Sequence, residues 1–187
     1  GRHGLEGRFV AGYVGTHGMA HALETVLDAA QQVQDAGDDR FRFLLLGDGA
    51  RKQALVARAG ELGLGNVIFV DSVPKDEVAR YWSLIDVSII HLRKTDLFTS
   101  VIPSKLFECL GMGVGLVIEP ENPSALVAAL ARMADEDGLL AGFQARCLAA
   151  APTYDRRVLA QEMLKVLEGA ADDRQRQRNG KTEPSDG

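Results

Sequence analysis

The chain has 187 residues, 46% of them hydrophobic and 25% charged, enough to bury a core of its own. Its 21 basic and 26 acidic residues leave a net charge of −5, which argues against nucleic acid as an obligate partner, because neutralising phosphates takes a basic surface. No run of ~18 apolar residues is present to span a membrane, and no apolar segment of signal-peptide type opens the chain.

Residues 1–8, Gly-rich and charged, read as a linker. Phe9 to Val14 is an apolar strand ending at Gly15. Thr16-His17-Gly18 then turns into a long helix carrying Leu23, Val26, Leu27, Ala30 and Val33 at helical spacing. Phe41 to Leu46 is nearly all apolar, the mark of a strand covered on both faces. After Gly47-Asp48-Gly49 comes a helix from Arg51 to Leu62, then a strand from Val67 to Val70. Pro74 to Leu84 is a short helix, with Asp76 and Glu77 suiting its N-terminus. Val87 to His91 is the fourth strand, and Pro103 opens a helix on Leu106, Phe107 and Leu110. Gly115 to Glu119 is a fifth strand. Helices follow from Asn122-Pro123-Ser124 through Met133, from Leu139 to Ala149 and from Arg156 to Glu168. Residues 169–187 have little to bury and read as a disordered tail, leaving 9–168 as the folded domain. Cys109 and Cys147 fall in apolar helical patterns and read as buried thiols of a cytoplasmic protein. The first methionine is Met19, inside patterned sequence, so the chain is expected to begin partway through a longer product.

Strands alternating with helices predict an α/β fold: a doubly wound, Rossmann-like parallel sheet with right-handed crossovers and a helical C-terminus. Its ligand belongs at the C-terminal strand ends, among Gly15–Gly18, Gly47–Lys52, Ser72–Pro74 and His91–Lys105.

Four motifs bear on chemistry. Gly12-Tyr-Val-Gly15-Thr-His-Gly18 joins a strand to a helix and is built for backbone N–H groups to approach a phosphate, or is a plain tight turn. Gly47-Asp48-Gly49 begins like a dinucleotide fingerprint, but Lys52 occupies the third glycine's place; Lys52 is either a phosphate partner or a solvated lysine. His17 and His21 are four apart, without the glutamate or third ligand of a zinc site; a histidine donating to an anion at a phosphate-binding turn is the better reading. Lys105 and Glu108 are three apart on one helix, which by spacing alone is equally a surface salt bridge.

The order of these parts resembles the C-terminal half of a GT-B glycosyltransferase of the retaining, family-four kind, in its bacterial cell-surface polysaccharide branch. The resemblance rests on Gly12–His21, Leu45–Gly49, Val67–Val70 with Val73-Pro74, Asp86-Val87-Ser88, Ile102-Pro103-Ser104-Lys105-Leu106-Phe107-Glu108 and Gly115–Pro123, and covers residues 9 to about 168. It implies a domain that binds a nucleotide sugar, with a preference for UDP, and passes the sugar to a sugar or lipid-linked saccharide acceptor held by a separate N-terminal domain. No metal or other cofactor is implied. Glu108 matches the glutamate that accepts hydrogen bonds from the ribose hydroxyls. Lys105, Gly15 and Gly18 match positions near the diphosphate, and Val73 and Pro74 match the loop against which the base packs. Thr16 and His17 stand where many relatives carry arginine and lysine. With Gly49, Lys52 and Ser104 these complete the expected donor-binding set. The location implied is cytoplasmic, peripheral at the inner face of the membrane.

Two departures qualify the match. The position eight residues before Glu108, a glutamate in many relatives, is Ser100, so no catalytic carboxylate is assigned there. After Gly113, relatives add a further strand and helix, on the order of 20 residues, before the Gly-Leu-Val-Ile strand; here that unit is missing. The expectation is a nucleotide-binding half with a shortened sheet, inactive alone. A sugar-nucleotide epimerase of the same fold and a degenerate, non-catalytic nucleotide-binding or interaction module remain the alternatives.

Overall fold

A computed structural model of the chain describes residues 4–95, 105–117 and 120–179. Five parallel strands form one sheet: β1 (Phe9–Val14), β2 (Phe41–Leu46), β3 (Val67–Val70), β4 (Val87–Ile90) and β5 (Gly115–Val117). Their order is β3-β2-β1-β4-β5, so the chain winds outward from β1 in both directions. The switch point lies between β1 and β4, where open α/β sheets form a crevice at the carboxyl ends of their strands.

Alternation along the strands builds two cores. Tyr13, Phe43, Leu45 and Ile89 face one way, onto α1 (Glu24–Asp35), α2 (Lys52–Glu61), α5 (Pro123–Asp135) and α6 (Leu139–Ala150). Val10, Val14, Leu44, Leu46 and Ile90 face the other way, onto α3 (Lys75–Trp82) and α4 (Lys105–Met112). Burial on both faces explains the nearly unbroken apolar run of β2. Asn122 caps α5, its Oδ1 accepting from the N–H of Ala125 at 2.9 Å, with Pro123 in the first turn.

The doubly wound expectation holds, with a shortened sheet; of three details, the first and third differ from it. The first helix does not begin at the glycine turn. Gly18 is extended, Met19–His21 form one 3₁₀ turn, Ala22 is left-handed with φ 40°, and α1 starts only at Glu24. The amides of the first loop are therefore not the N-terminus of α1. Second, β5 pairs directly with β4, Ser88 opposite Gly115 and Ile90 opposite Val117, and α4 is the helix of that crossover among the described residues. The strand after Gly113 thus occupies the slot beside β4. Third, α7 (Arg156–Asn179) runs past Glu168 through residues read from sequence as disordered. Alanine, arginine and glutamine are strong helix formers, and an amphipathic face is not needed to continue a helix already started.

The chain divides into two compact units at 149/150. In the second, a 3₁₀ turn (Ala151–Tyr154) precedes α7, and Asp155 caps that helix by accepting from the N–H of Arg157 at 2.7 Å. Among the described residues no helix is long and apolar enough to cross a membrane.

Candidate functional site

The loops after β1 and β2 are interlocked. The His17 N–H donates to the Asp48 carbonyl at 2.8 Å, the Arg51 N–H to the His17 carbonyl at 2.9 Å, and the Gly15 N–H to the Leu46 carbonyl at 2.9 Å. The fit requires glycine at two positions. A Cβ on Gly47 would lie 1.9 Å from the Gly15 carbonyl oxygen, and one on Gly49 2.6 Å from the His17 oxygen; both residues have φ above +140°. The Gly47-Asp-Gly turn, which the sequence offered as a phosphate loop, serves first to admit the neighbouring loop.

Beside this pair lies a cleft of about 730 Å³, in the size range of small-molecule sites. Its floor is Gly15, Thr16, Gly47 and Asp48; one wall is α3 with Val78 and Trp82, the other α4 with Phe107 and Glu108. Four of the expected donor residues meet here: Gly15, Thr16, Val73 and Glu108. Lys105 joins them from behind Gly15. Its Nζ lies where a Gly15 side chain would be, and 3.3 Å from the centroid of the Tyr13 ring. Tyr13 is fully buried, and its hydroxyl donates to the Thr16 carbonyl at 2.8 Å. Burial pushes the Tyr13 phenol up from its ordinary value. Burial also pushes the Lys105 ammonium down to about 7, against the opposing pull of Cys109 and Glu108. Among the described residues no ion pair joins Lys105 to Glu108, so the surface salt bridge that their spacing allowed is not formed.

The other expected residues fall elsewhere. His17 is completely buried between Tyr13 and Phe69, with neither ring nitrogen hydrogen-bonded. Burial, then the charges of Lys52 and Lys105, push its pKa down to about 4. It is a neutral ring under the loop. Gly18 and Pro74 do not line the cleft, and Gly49 is taken up by packing on His17. Lys52 is held by partners within the protein. Its Nζ donates to the carbonyl of Gly47 at 2.7 Å and of Val70 at 3.3 Å, and pairs with Asp71 at 2.5 Å. The ends of β2 and β3 and the Asp71 carboxylate take that ammonium first. Ser104 lies outside the described residues, as do Ser100 and Pro103.

Sequence reading missed Trp82, Lys75, Phe107 and Met112 as cleft residues. A signal was present: Lys75, Val78, Ala79 and Trp82 repeat at helical spacing, as do Phe107, Glu108, Gly111 and Met112, so each set shares one face. Among the described residues no group of three or more His, Cys, Asp or Glu side chains is placed to hold a metal.

Comparison with known proteins bears on this arrangement. The family model described as "Glycosyl transferases group 1" matches residues 8–118. A 2-deoxystreptamine glucosyltransferase of Streptomyces kanamyceticus is 33% identical over 112 residues, 56% of this chain and 28% of that protein. The chain thus spans little more than a quarter of the length of that curated relative. The catalytic domain of cholesterol-α-glucosyltransferase from Helicobacter pylori superposes with a TM-score of 0.65 at 15% identity, over 78% of this chain and 98% of that one. HepE of Anabaena, solved in complex with UDP-glucose, superposes with a TM-score of 0.74 at 15% identity, over 89% of this chain and 50% of that one. At such identities the superpositions establish the fold, and the family match covers both cleft-forming loops and α4. The chain is a GT-B-type glycosyltransferase domain and belongs to the group 1 glycosyl transferase family.

Proposed function

We propose that this domain binds the nucleoside diphosphate of a sugar donor, a UDP-hexose, whose sugar is transferred to an acceptor held by an N-terminal domain. The observation that carries the reading is the cleft. It offers a carboxylate at Glu108 and an apolar wall at Trp82 and Val73, with the Lys105 ammonium behind Gly15, all at the carboxyl ends of the sheet. Those are the groups a ribose, a diphosphate and a base require. Glu108 accepts from the two ribose hydroxyls, charge-assisted bonds that fix the nucleoside. Lys105 and the amide of Thr16 stabilise the negative charge that builds on the diphosphate as the glycosidic bond breaks. Val73 and Trp82 pack against the base. Thr16 completes the shell around the phosphates, without a metal.

The acceptor we assign is a sugar or a lipid-linked saccharide of bacterial envelope polysaccharide synthesis, met at the cytoplasmic face of the membrane. The relative's name as a glucosyltransferase and the neighbour solved with UDP-glucose support the hexosyl donor. The domain alone does not turn over, since the acceptor side belongs to the other domain; multiple-turnover transfer by this polypeptide would refute that.

Titration with UDP, GDP, ADP and NAD tests the donor assignment, read through Trp82, the only tryptophan in the chain. UDP binds, and Glu108→Ala weakens it by about 1.5–3 kcal/mol. Binding of NAD alone sinks the reading. A second reading, a non-catalytic module, draws on the direct β4–β5 pairing that shortens the sheet; it is the one left if no nucleotide binds.

A further inference from the structure

His91 follows β4 immediately and is 3% exposed. Its two ring nitrogens are both engaged, and their partners dictate the tautomer. Nδ1 lies 2.7 Å from the His21 carbonyl oxygen, which can only accept, so Nδ1 carries the proton. Nε2 lies 2.8 Å from the backbone nitrogen of Glu121, which can only donate, so Nε2 carries the lone pair. The contact with the first loop is reciprocal: Nδ1 of His21 faces the His91 carbonyl at 3.3 Å. Two further bonds reinforce the same junction. The Arg93 N–H donates to the Ala20 carbonyl at 2.8 Å, and the Lys94 N–H to the Glu121 carboxylate at 2.8 Å. One imidazole therefore joins three segments that follow three different strands.

Backbone conformation marks the same place. Among the described residues, Ala22 and Glu121 are the non-glycines with positive φ, at 40° and 53°. One is next to His21; the other donates its N–H to His91. Side chains with a Cβ avoid this region unless the surroundings hold them there. From His21 the contact passes inward. Its ring lies 5.7 Å from the Tyr13 ring, which carries the Lys105 ammonium on its face and the Thr16 carbonyl on its hydroxyl.

We propose that His91 is a positioning residue for donor binding: as the neutral Nδ1–H tautomer it clamps the loop after β1 to the loop after β5, and so holds His21, Tyr13 and Lys105 in register at the diphosphate end of the cleft. The proposal rests on the nucleotide-sugar reading of that cleft. Nothing but imidazole among the ordinary side chains offers a donor and an acceptor on opposite edges of one small rigid ring. Glutamine, with both functions on a flexible amide, is the nearest substitute, and phenylalanine keeps the ring without either.

The test uses the full chain. Long-range 15N–1H correlation spectra identify the His91 tautomer, and UDP titrations well below each variant's unfolding midpoint give affinities for wild type, His91→Gln and His91→Phe. The expected result is an Nδ1–H tautomer, a loss of about tenfold in UDP affinity for His91→Phe, and recovery to within about threefold for His91→Gln. An Nε2–H tautomer, or a His91→Phe chain that binds UDP as tightly as wild type, overturns the proposal. If His91→Phe fails to fold, the tautomer decides alone. A wild-type chain that ignores UDP strikes the donor reading instead, and the tautomer still decides the clamp.

Discussion

Lys105 provides the most direct test of charge in the cleft. Its ammonium is held against the Tyr13 ring with its pKa down at about 7. A diphosphate drawn to within ~4 Å adds about 4 kcal/mol of attraction at an effective dielectric of ~20, which is about three pKa units. The bound value is then about 10. At pH 8 the free lysine is about 10% protonated and the bound one nearly fully so, and binding takes up about 0.9 proton. Affinity for UDP-glucose therefore falls about tenfold per pH unit from pH 7 upward. Calorimetry in two buffers of different ionisation enthalpy reads the proton directly. Lys105→Met abolishes the uptake and weakens binding at pH 7 by about ten- to hundredfold. An affinity that is flat from pH 6.5 to 9, with an enthalpy independent of buffer, refutes the assignment of Lys105 to the phosphates. The sign is the reverse for folding: the native pKa lies below the unfolded one, so the unfolded chain keeps this proton between about 7 and 10.5, and the Lys105 contribution to stability rises with pH there.

His17 makes the native state vulnerable to acid: its pKa drops from 6.5 to about 4 on folding, so stability is intact above 6.5 and is lost as pH falls toward 4, by up to about 3 kcal/mol. His17→Phe, which retains the packing on Tyr13 and Phe69, removes that slope, and urea melts at pH 7 and pH 4.5 measure the difference. Gly47→Ala drives a methyl into the Gly15 carbonyl at a left-handed backbone and destabilises by at least ~2 kcal/mol, or prevents folding; an unchanged melting temperature refutes the interlock. Lys52→Met leaves two carbonyls and Asp71 without their ammonium and lowers stability by about 1–3 kcal/mol, while UDP affinity changes less than about threefold. A large affinity loss with no stability loss restores Lys52 to the phosphates.

The sheet was legible because its signals are local and redundant. Phe41–Leu46 and Val87–Ile90 are runs buried on both faces, and the glycine turns that follow β1 and β2 mark their ends. α4 was legible for its apolar spacing, and Glu108 for its place on the helix. What the sequence hid was competition for partners. Lys52 reads as a free cation until two strand ends converge on it. His17 reads as an anion donor until Gly49 closes over its backbone. His91 was read as the end of a strand and the start of a ligand-facing loop, and its clamp was hidden because its partners, His21 and Glu121, lie 70 and 30 residues away. The start of α1 was misplaced because a left-handed alanine, Ala22, gives no signal in composition. α7 was cut short because its last turns carry few apolar residues in sequence and were read as no helix.

The meshing of Gly47 with Gly15 also governs how this chain is free to diverge. Two loops some thirty residues apart share one backbone surface, so neither accepts a side chain, an insertion or a shift in twist unless the other yields. Mutational drift at one loop is screened by the other before any ligand is consulted. Among descendants of this sequence, lengths of the two loops should change together or not at all, and laboratory evolution toward a new donor should proceed fastest through α3, the wall that carries Lys75, Val78 and Trp82 into the cleft.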